Sequence, residues 1–319
     1  MGINVIKPGM LTTVQDLGRF GFQKYGMITS GAMDKLALRL GNLLLGNEED
    51  TPALECTSIG PSLLFLEQQL ICVTGGDLSP AIDQQPIPMW KPVVVPAGAL
   101  LTFGKPKKGW RAYLCFYGGL NVPKVLGSAS TYLRGAIGGW QGRALQKGDQ
   151  LSFCTAWLQE SSSFKWRMAS SCYRGLDNKI IRVIAGPQHA LFDSDSQQRL
   201  TAGLFTISSN SDRMGYRLES AKLYLREKKE LLSSATTFGT IQVPPDGQPI
   251  VLMADHPTTG GYPIIAQVAT VDLPLMAQLP PGAKIQFAWI TMKEAQSLWR
   301  AQENELHKLK LSLALKYGE

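Results

Sequence analysis

The sequence predicts a mainly β protein with a few helices, arranged as two β-rich units. Short apolar runs bounded by glycine and proline recur along the chain, and one of them, residues 250–254, is too short for an ordinary helix. The length of 319 residues favours two domains over one. We place these domains at residues 1–165 and 175–319, because the serine-rich stretch 159–175 has no clean period and suits a connection.

The first unit is predicted to open with a short strand inside residues 9–19, followed by the clearest helix of this half. Ser30 is available to cap the start of that helix, and Gly46 stands where a left-handed residue commonly ends one. The apolar positions of the helix recur at steps of three and four, at Met33, Leu36, Ala37, Leu40, Leu43 and Leu44. Short strands separated by turns are expected from residue 53 to residue 153.

One pattern occurs in both halves of the chain: a glycine is followed five residues later by a phenylalanine. Each pair predicts a turn that leads into a strand whose aromatic end is buried. The pairs are Gly60 with Phe65, Gly98 with Phe103, Gly148 with Phe153, and Gly282 with Phe287. The recurrence indicates two units of related construction, or a coincidence of a common turn-and-strand arrangement.

The second unit is predicted to begin with a strand at residues 179–185 and to end with a helix at residues 292–317. The mostly apolar stripe of this helix indicates packing within the protein more than recognition of a partner. Its members are Leu298, Trp299, Gln302, Leu306, Leu309 and Leu313.

The composition excludes several classes of protein. A net charge of +7, with basic groups interrupted by glutamates, indicates a solvated face and no nucleic-acid partner. No run of about 18 apolar residues and no signal peptide is present, which predicts a cytoplasmic protein without a membrane segment. Five dispersed cysteines and three histidines predict neither a disulfide framework nor a metal site.

Residues 255–261 follow the buried strand 250–254 and carry the first candidate site. Asp255 can orient a ligand or accept a proton, while Gly260 and Gly261 let backbone N–H groups approach an anion. The alternative is a hairpin turn with a capped end.

Residues 208–218 carry the second candidate site. Read as a strand, this segment places Arg213 and Arg217 on one face, where a carboxylate can accept paired hydrogen bonds from a guanidinium. Asn210 and Asp212 stand just before them and can orient an amide or fix an arginine. The alternative is an exposed strand face whose arginines pair with neighbouring acids.

A glycine-rich stretch, residues 118–142, is the third candidate. Its repeated bends near Tyr132, Arg134 and Arg143 suit a loop that cradles an anion, and equally suit the corner of a barrel. The standard nucleotide-binding loops are absent, and so is the tetrad around a biotinylated lysine. ATP or biotin is therefore expected to come to the reaction on another chain.

Taken together, the motifs closely resemble the KipA family, which is carboxyltransferase-like and includes the C subunit (PxpC) of bacterial ATP-dependent 5-oxoprolinase. The matching motifs are Ser30-Gly-Ala-Met-Asp34, Gly41-Asn-Leu-Leu-Leu-Gly-Asn47, Leu54-Glu55, Gly60-Pro61, and residues 126–135, 211–218 and 239–263. The resemblance implies two cyclophilin-like β-barrel units. The family pattern has Arg-Gln where this chain has His256-Pro257, so an arginine contact is missing at that position.

The resemblance also implies a function. It implies an ATP-dependent complex with a KipI/PxpB-type subunit and a PxpA-type subunit, which opens the lactam 5-oxo-L-proline to L-glutamate. Arg213 and Arg217 are then expected to bind the carboxylate, Gly260 and Gly261 to face developing charge, and Asp255, Asp212 and Asn210 to act on the amide. Two alternatives remain: a regulatory protein that binds a KipI-type kinase inhibitor, and a carboxyltransferase component that uses biotin from another chain.

Overall fold

The computed structural model describes residues 2–158, 164, 166–168, 173, 178–227 and 230–317. Within these ranges the fold is mostly β with four α-helices, and the predicted mainly β class is confirmed. The chain divides into two compact units, one formed by residues 1–19, 30–175 and 306–319 and the other by residues 20–29 and 176–305. Most of the predicted connection at 159–175 lies outside the described residues.

The first unit consists of two antiparallel sheets that share one apolar core. Its strands are β1 (Gly2–Lys7), β2 (Leu11–Gln15), β3 (Ala53–Thr57), β4 (Ser62–Phe65), β5 (Gln69–Asp77), β6 (Pro80–Ile82), β7 (Gln85–Pro86), β8 (Pro92–Val95), β9 (Leu100–Phe103), β10 (Lys108–Phe116) and β11 (Gln150–Ser152). The sheets have the orders β11-β1-β4-β9-β6-β7 and β2-β3-β10-β5-β8. The rings of Phe65, Phe116 and Phe153 meet in the core with centroids 5.2–6.4 Å apart.

Helix α1 (Lys35–Leu44) packs on β5 and β10. The prediction of Ser30 as its cap is wrong. Asp34 is the N-cap, because its carboxylate accepts the N–H of Ala37 at 2.9 Å, whereas the Ser30 hydroxyl donates to the carbonyl of Thr131. Gly46 has a φ of 73°, which confirms the predicted left-handed residue after the helix.

The predicted turn before the recurring phenylalanine is confirmed at three of the pairs. Gly98, Gly148 and Gly282 have φ values of 83°, 91° and 82°, and each precedes a strand. A Cβ added at any of the three would meet no other atom within 4 Å. The backbone conformation alone therefore explains glycine at these positions.

We expect Gly148→Ala to lower the free energy of unfolding by about 1–2 kcal/mol, because an alanine Cβ disfavours the left-handed conformation. Gly148→Asn is expected to cost less, since asparagine adopts this conformation more readily. Urea denaturation of the two variants measures the difference. An asparagine variant as unstable as the alanine variant would show that backbone conformation is not the cause.

The second unit is a closed barrel of seven strands in the order β12-β19-β16-β17-β14-β13-β20. Its strands are β12 (Ile180–Ala185), β13 (Phe205–Ile207), β14 (Gly215–Glu219), β16 (Thr240–Gln242), β17 (Ile250–Leu252), β19 (Ile264–Val268) and β20 (Lys284–Trp289). Strands β12 and β20 pair in parallel, and the other barrel pairs are antiparallel. A separate ribbon joins β15 (Ser234–Ala235) to β18 (Thr259–Gly260).

The remaining helices are α2 (Ser194–Ala202), α3 (Leu273–Ala277) and α4 (Met292–Tyr317). The predicted C-terminal helix is confirmed. Leu306 and Leu313 of its apolar stripe are buried, while Trp299 is 46% exposed. Among the described residues, no helix combines the length and the apolar character that crossing a lipid bilayer requires.

Candidate functional site

A buried ion pair in the barrel joins two of the predicted site residues, Arg213 and Asp255. The neighbouring strands β14 and β17 place Gly215 opposite Leu252, and the pairing continues past their ends, where the N–H of Asp255 donates to the carbonyl of Arg213 at 2.8 Å. The guanidinium contacts both carboxylate oxygens, with Nε 3.0 Å from Oδ2 and Nη2 2.9 Å from Oδ1. Each side chain is 4% exposed, so this pair is almost fully removed from solvent.

The geometry of this pair decides what Asp255 can do. Both of its oxygens accept hydrogen bonds from the guanidinium in a two-pronged arrangement. An aspartate held in this way orients its partner and fixes the register of the two segments. Of the two roles predicted for Asp255, the geometry therefore favours orientation over proton transfer.

His256, which stands where the family pattern has arginine, is also buried. Its Nδ1 lies 2.7 Å from the carbonyl oxygen of Pro257. Because a carbonyl oxygen can only accept, the hydrogen of a neutral imidazole belongs on Nδ1 and the lone pair on Nε2. The Thr236 hydroxyl donates to the same carbonyl and lies 3.3 Å from Nδ1, so both of these groups contact the ring at Nδ1.

The expectation that Arg213 and Arg217 share one strand face is wrong. Residues 208–214 form turns and bends, and the strand begins only at Gly215. Arg213 precedes the strand and is buried against Asp255, whereas Arg217 lies on the exposed side of β14, opposite to the buried Tyr216 and Leu218. Of the two arginines, the structure leaves Arg217 open to solvent.

Asn210 and Asp212 occupy the turn before β14, and both are exposed. The Oδ1 atom of Asp212 accepts the backbone N–H groups of Met214 and Gly215 at 2.8 and 3.2 Å. This carboxylate thus stabilises the turn that delivers Arg213 to Asp255. A local hydrogen-bonded turn of this kind replaces the continuous strand expected for residues 208–218.

Gly260 and Gly261 lie at the end of the ribbon strand β18, where Gly260 pairs with Ser234. A Cβ added to Gly260 would lie 2.5 Å from Nε2 of the buried Gln242, so a larger residue there would have to displace the end of that side chain. Gly261 is exposed, and an added Cβ would meet only ordinary contacts. Sequence reasoning assigned both glycines to ligand approach, whereas Gly260 packs against Gln242.

The other three predicted residues belong to the first unit. Tyr132 pairs through its backbone with Ile137, and Arg134 is exposed. Arg143 makes a two-pronged ion pair with Asp149, with both N–O distances 2.7 Å. This pairing raises the pKa of Arg143 and lowers that of Asp149, chiefly through their hydrogen bonds. Arg143 therefore closes a turn at the end of the glycine-rich stretch, while Arg134 is exposed within it.

Sequence reasoning missed a buried polar cluster around Asp16 in the first unit. The Asp16 carboxylate accepts the N–H groups of Gly18 and Ala129 at 2.8 and 2.6 Å and the hydroxyl of Ser128 at 2.7 Å. It also accepts the hydroxyl of Ser130. One buried aspartate thus connects the end of β2 to residues 128–130, more than 110 positions away in sequence. No local spacing in the chain signals such a contact.

A second buried network lies at the start of α1. Glu55 accepts the N–H of Met33 at 2.8 Å and the hydroxyl of Tyr113 at 2.7 Å, while the N–H of Asp34 donates to that same hydroxyl at 2.7 Å. The hydroxyl of Tyr173 donates to Asp34. Burial, reinforced by the two carboxylates, raises the pKa of Tyr113, so this phenol stays protonated. The signal available in sequence was the pair of acids within the motifs at 30–34 and 54–55.

Lys35, the first residue of α1, has a pKa that is changed by burial and by the neighbouring Asp16 carboxylate. Burial lowers its pKa from 10.5 to about 8, and the nearby Asp16 carboxylate opposes that change. Between pH 8 and pH 10.5 the unfolded chain therefore binds more protons than the folded chain, and this group makes wild-type stability rise with pH in that window. We expect Lys35→Met to be more stable than the wild type below pH 8, with the difference shrinking towards pH 10.5. Urea denaturation across this range measures it, and a constant difference would contradict the assignment.

Comparisons with known proteins agree with this architecture. Residues 25–289 match the model of the carboxyltransferase domain, subdomain A and B. The chain is 41% identical over 308 residues to the 5-oxoprolinase C subunit of Haemophilus influenzae, with 97% of each chain covered. It is 38% identical to the 5-oxoprolinase C subunit of Escherichia coli, with 96% of this chain and 97% of the relative covered. The solved urea amidolyase of K. lactis superposes with a TM-score of 0.90 at 32% identity, over 97% of this chain and 20% of that longer protein.

Proposed function

This chain belongs to the carboxyltransferase domain family, subdomain A and B, and from that membership we propose that it is the C subunit of an ATP-dependent 5-oxoprolinase. Together with the A and B subunits, the complex opens 5-oxo-L-proline to L-glutamate. One observation carries the proposal: the two bacterial 5-oxoprolinase relatives align with this chain from end to end, at 38–41% identity and 96–97% coverage. The urea amidolyase of Saccharomyces cerevisiae aligns at 33% and extends far beyond this region, which covers 17% of its length.

The chemistry of the substrate sets what the site must supply. A γ-lactam is stabilised by amide resonance and resists attack by water, so transfer of phosphate from ATP to its oxygen is a suitable activation. The substrate and each later intermediate carry a carboxylate, and charge develops at the reacting oxygen. A binding site therefore needs a cation for the carboxylate and preorganised donors for the developing charge.

The barrel residues meet these needs in separate roles. We assign carboxylate binding to Arg217, whose guanidinium is exposed and forms no ion pair with the described residues. Asp255 holds Arg213, and Asp212 shapes the turn between the two arginines. Contact with the lactam amide falls to the exposed Asn210, and Gly261 supplies a backbone N–H near developing charge.

Arg217→Ala is expected to raise the KM for 5-oxo-L-proline about tenfold or more in the reconstituted complex, because a charge-assisted hydrogen bond to the carboxylate is lost. The fold should be unaffected, since the side chain is exposed. Arg199→Ala is the matched control, as it removes another exposed arginine of the same unit. Steady-state kinetics of glutamate release measures both variants. An unchanged KM for Arg217→Ala, or an equal rise for Arg199→Ala, would remove Arg217 from the site.

A second candidate function is carboxyl transfer with biotin carried by another chain. The match to the carboxyltransferase domain model and the TM-score of 0.90 with urea amidolyase favour it, because the whole fold is shared with that class. A shared fold does not by itself identify the reaction that a protein catalyses. Similarity over the full length to one kind of subunit is stronger evidence for a particular reaction. We therefore rank carboxyl transfer second, and regulatory binding of a KipI-type inhibitor third.

Reconstitution of the complex tests the proposal. This chain is mixed with the KipI/PxpB-type and PxpA-type subunits, and glutamate release and ATP hydrolysis are measured with 5-oxo-L-proline. We expect both activities to require all three chains. Dependence on a biotinylated protein, with inhibition by avidin, would instead support carboxyl transfer. Stable binding of the KipI-type chain without any turnover would support the regulatory function.

A further inference from the structure

A cavity of about 640 Å³ lies in the first unit, and none of the candidate site residues lines it. Its walls come from the end of β5, the β6–β7 hairpin, the segment that follows it, and residues 167–168. The apolar part includes Ile87, Met89 and Trp90, while Lys107 and Arg167 bring positive charge. The cavity surface is therefore mixed, with an apolar part beside charged groups, which can hold an amphipathic small molecule.

Trp90, which lines this cavity, has an unusual backbone conformation. Its φ of 61° lies in the left-handed region, which is costly for a bulky residue and persists only where the surroundings impose it. Its N–H donates to the carbonyl of Val73 at 2.9 Å, and its carbonyl accepts the N–H of Met168 at 3.1 Å. Its indole packs against the ring of Tyr173, with centroids 4.6 Å apart. These contacts hold the indole in place beside the cavity before any ligand arrives.

The charges at the cavity favour an anion. Lys107 and Arg167 are exposed, and neither forms an ion pair with the described residues. One acid, Asp77, also lines the cavity, but its Oδ1 accepts the N–H of Ser79 at 2.8 Å within a turn. The lining therefore has two cations against one carboxylate that is partly engaged. Exposed cations beside an apolar wall suit a ligand with a flat ring at one end and negative charge at the other.

We propose that this cavity binds a nucleotide-sized organic anion, with the ring against Trp90 and Met89 and the phosphates beside Lys107 and Arg167. The size supports this class, because 640 Å³ exceeds the space that one five-membered cyclic acid needs. The proposal rests on the proposed function and extends it by placing nucleotide binding on this chain, in contrast to the expectation from the sequence that another chain brings the ATP. Failure of this proposal can be distinguished from failure of the proposed function. If this chain binds no nucleotide, the complex can still release glutamate.

Calorimetric titration of the purified full chain tests the proposal with ATP, ADP and 5-oxo-L-proline as separate probes. We expect ATP and ADP to bind, and 5-oxo-L-proline to bind at least about tenfold more weakly, since it lacks the phosphates. Lys107→Glu and Arg167→Glu should each weaken ATP binding about tenfold or more, as expected for losing a charged contact. Lys105→Glu is the matched control, because it makes the same charge change on an exposed lysine outside the cavity lining.

Two results would overturn the proposal. One is the absence of ATP and ADP binding at millimolar concentration, including the case in which only 5-oxo-L-proline binds. The other is a loss of ATP affinity in Lys105→Glu equal to that in Lys107→Glu, which would indicate only general attraction to a basic protein.

Trp90→Gly provides an independent check, since glycine adopts the left-handed backbone without strain and removes the indole. We expect this variant to lose nucleotide affinity about tenfold or more, because the base can no longer stack on an aromatic ring. Retained affinity would contradict the role of the ring.

Discussion

Replacing Asp255 with alanine is expected to lower the free energy of unfolding by about 3–5 kcal/mol, because it removes the carboxylate that neutralises the buried guanidinium of Arg213. Both nitrogens that contact Asp255 lie within 3.0 Å of its oxygens, and the pair is almost fully buried. Bulk solvent does not reach the guanidinium to replace the lost carboxylate. Chemical denaturation of the wild type and the variant measures the change.

Asp195→Ala is the matched control for this prediction, because Asp195 forms a solvent-exposed ion pair with Arg199 on α2. Exposed pairs of this type contribute about 0.3–0.5 kcal/mol, so the control should change little. The double variant Arg213→Met/Asp255→Leu should recover most of the lost stability, since it removes both charges and keeps apolar volume. If Asp255→Ala were no more destabilising than Asp195→Ala, the carboxylate of Asp255 would not be a buried partner of Arg213.

Asp16→Ala is expected to have a similarly large effect in the first unit, at least about 3 kcal/mol. Four donors lose their acceptor at once, two from the backbone and two from serine hydroxyls, and each unsatisfied buried group costs about 1–3 kcal/mol. The variant should also lower the pKa of Lys35 below its value of about 8, because the Asp16 carboxylate is what opposes the effect of burial there.

Denaturation measures the stability of Asp16→Ala, and Asp50→Ala, which alters an exposed aspartate of the same unit, is its control. The shift at Lys35 can be followed by repeating the comparison with Lys35→Met in the Asp16→Ala background. A loss no greater than that of Asp50→Ala would mean that water satisfies the four donors. The cluster would then be open to solvent in the folded protein.

These two aspartates illustrate how the fold positions its candidate chemistry. Asp255 acts at the end of two paired barrel strands, and Asp16 acts at the end of β2 in the first unit. Each uses its carboxylate to hold other groups in place. Arg217, by contrast, is exposed on a strand whose other face is fully packed, which suits a residue that meets a ligand. An exposed charged side chain on a strand whose other face is packed in the core is an arrangement typical of binding sites.

The barrel strand at 250–252, the strand at 180–185 and the helix at 292–317 were predictable from the sequence because their signals are local. Short apolar runs between turn residues and an amphipathic period depend only on neighbours in the chain. The same holds for the left-handed glycines before the recurring phenylalanines. Where a polar side chain competes for the local backbone, as Asp212 does, the alternation of residues 208–218 misled the prediction.

By itself, the sequence determined the fold class, the strands at 180–185 and 250–252, the helices at 35–44 and 292–317, and the membership of the family. All of these depend on local periodicity or on motifs in a fixed order along the chain. Only the tertiary structure decided that Arg213 is buried against Asp255 while Arg217 is exposed, and that Asp16 connects segments more than 110 residues apart. Such pairings depend on which strand ends meet in space. The free energy of a buried charge depends on whether a partner group lies beside it in the folded protein, and residue spacing along the chain does not predict that contact.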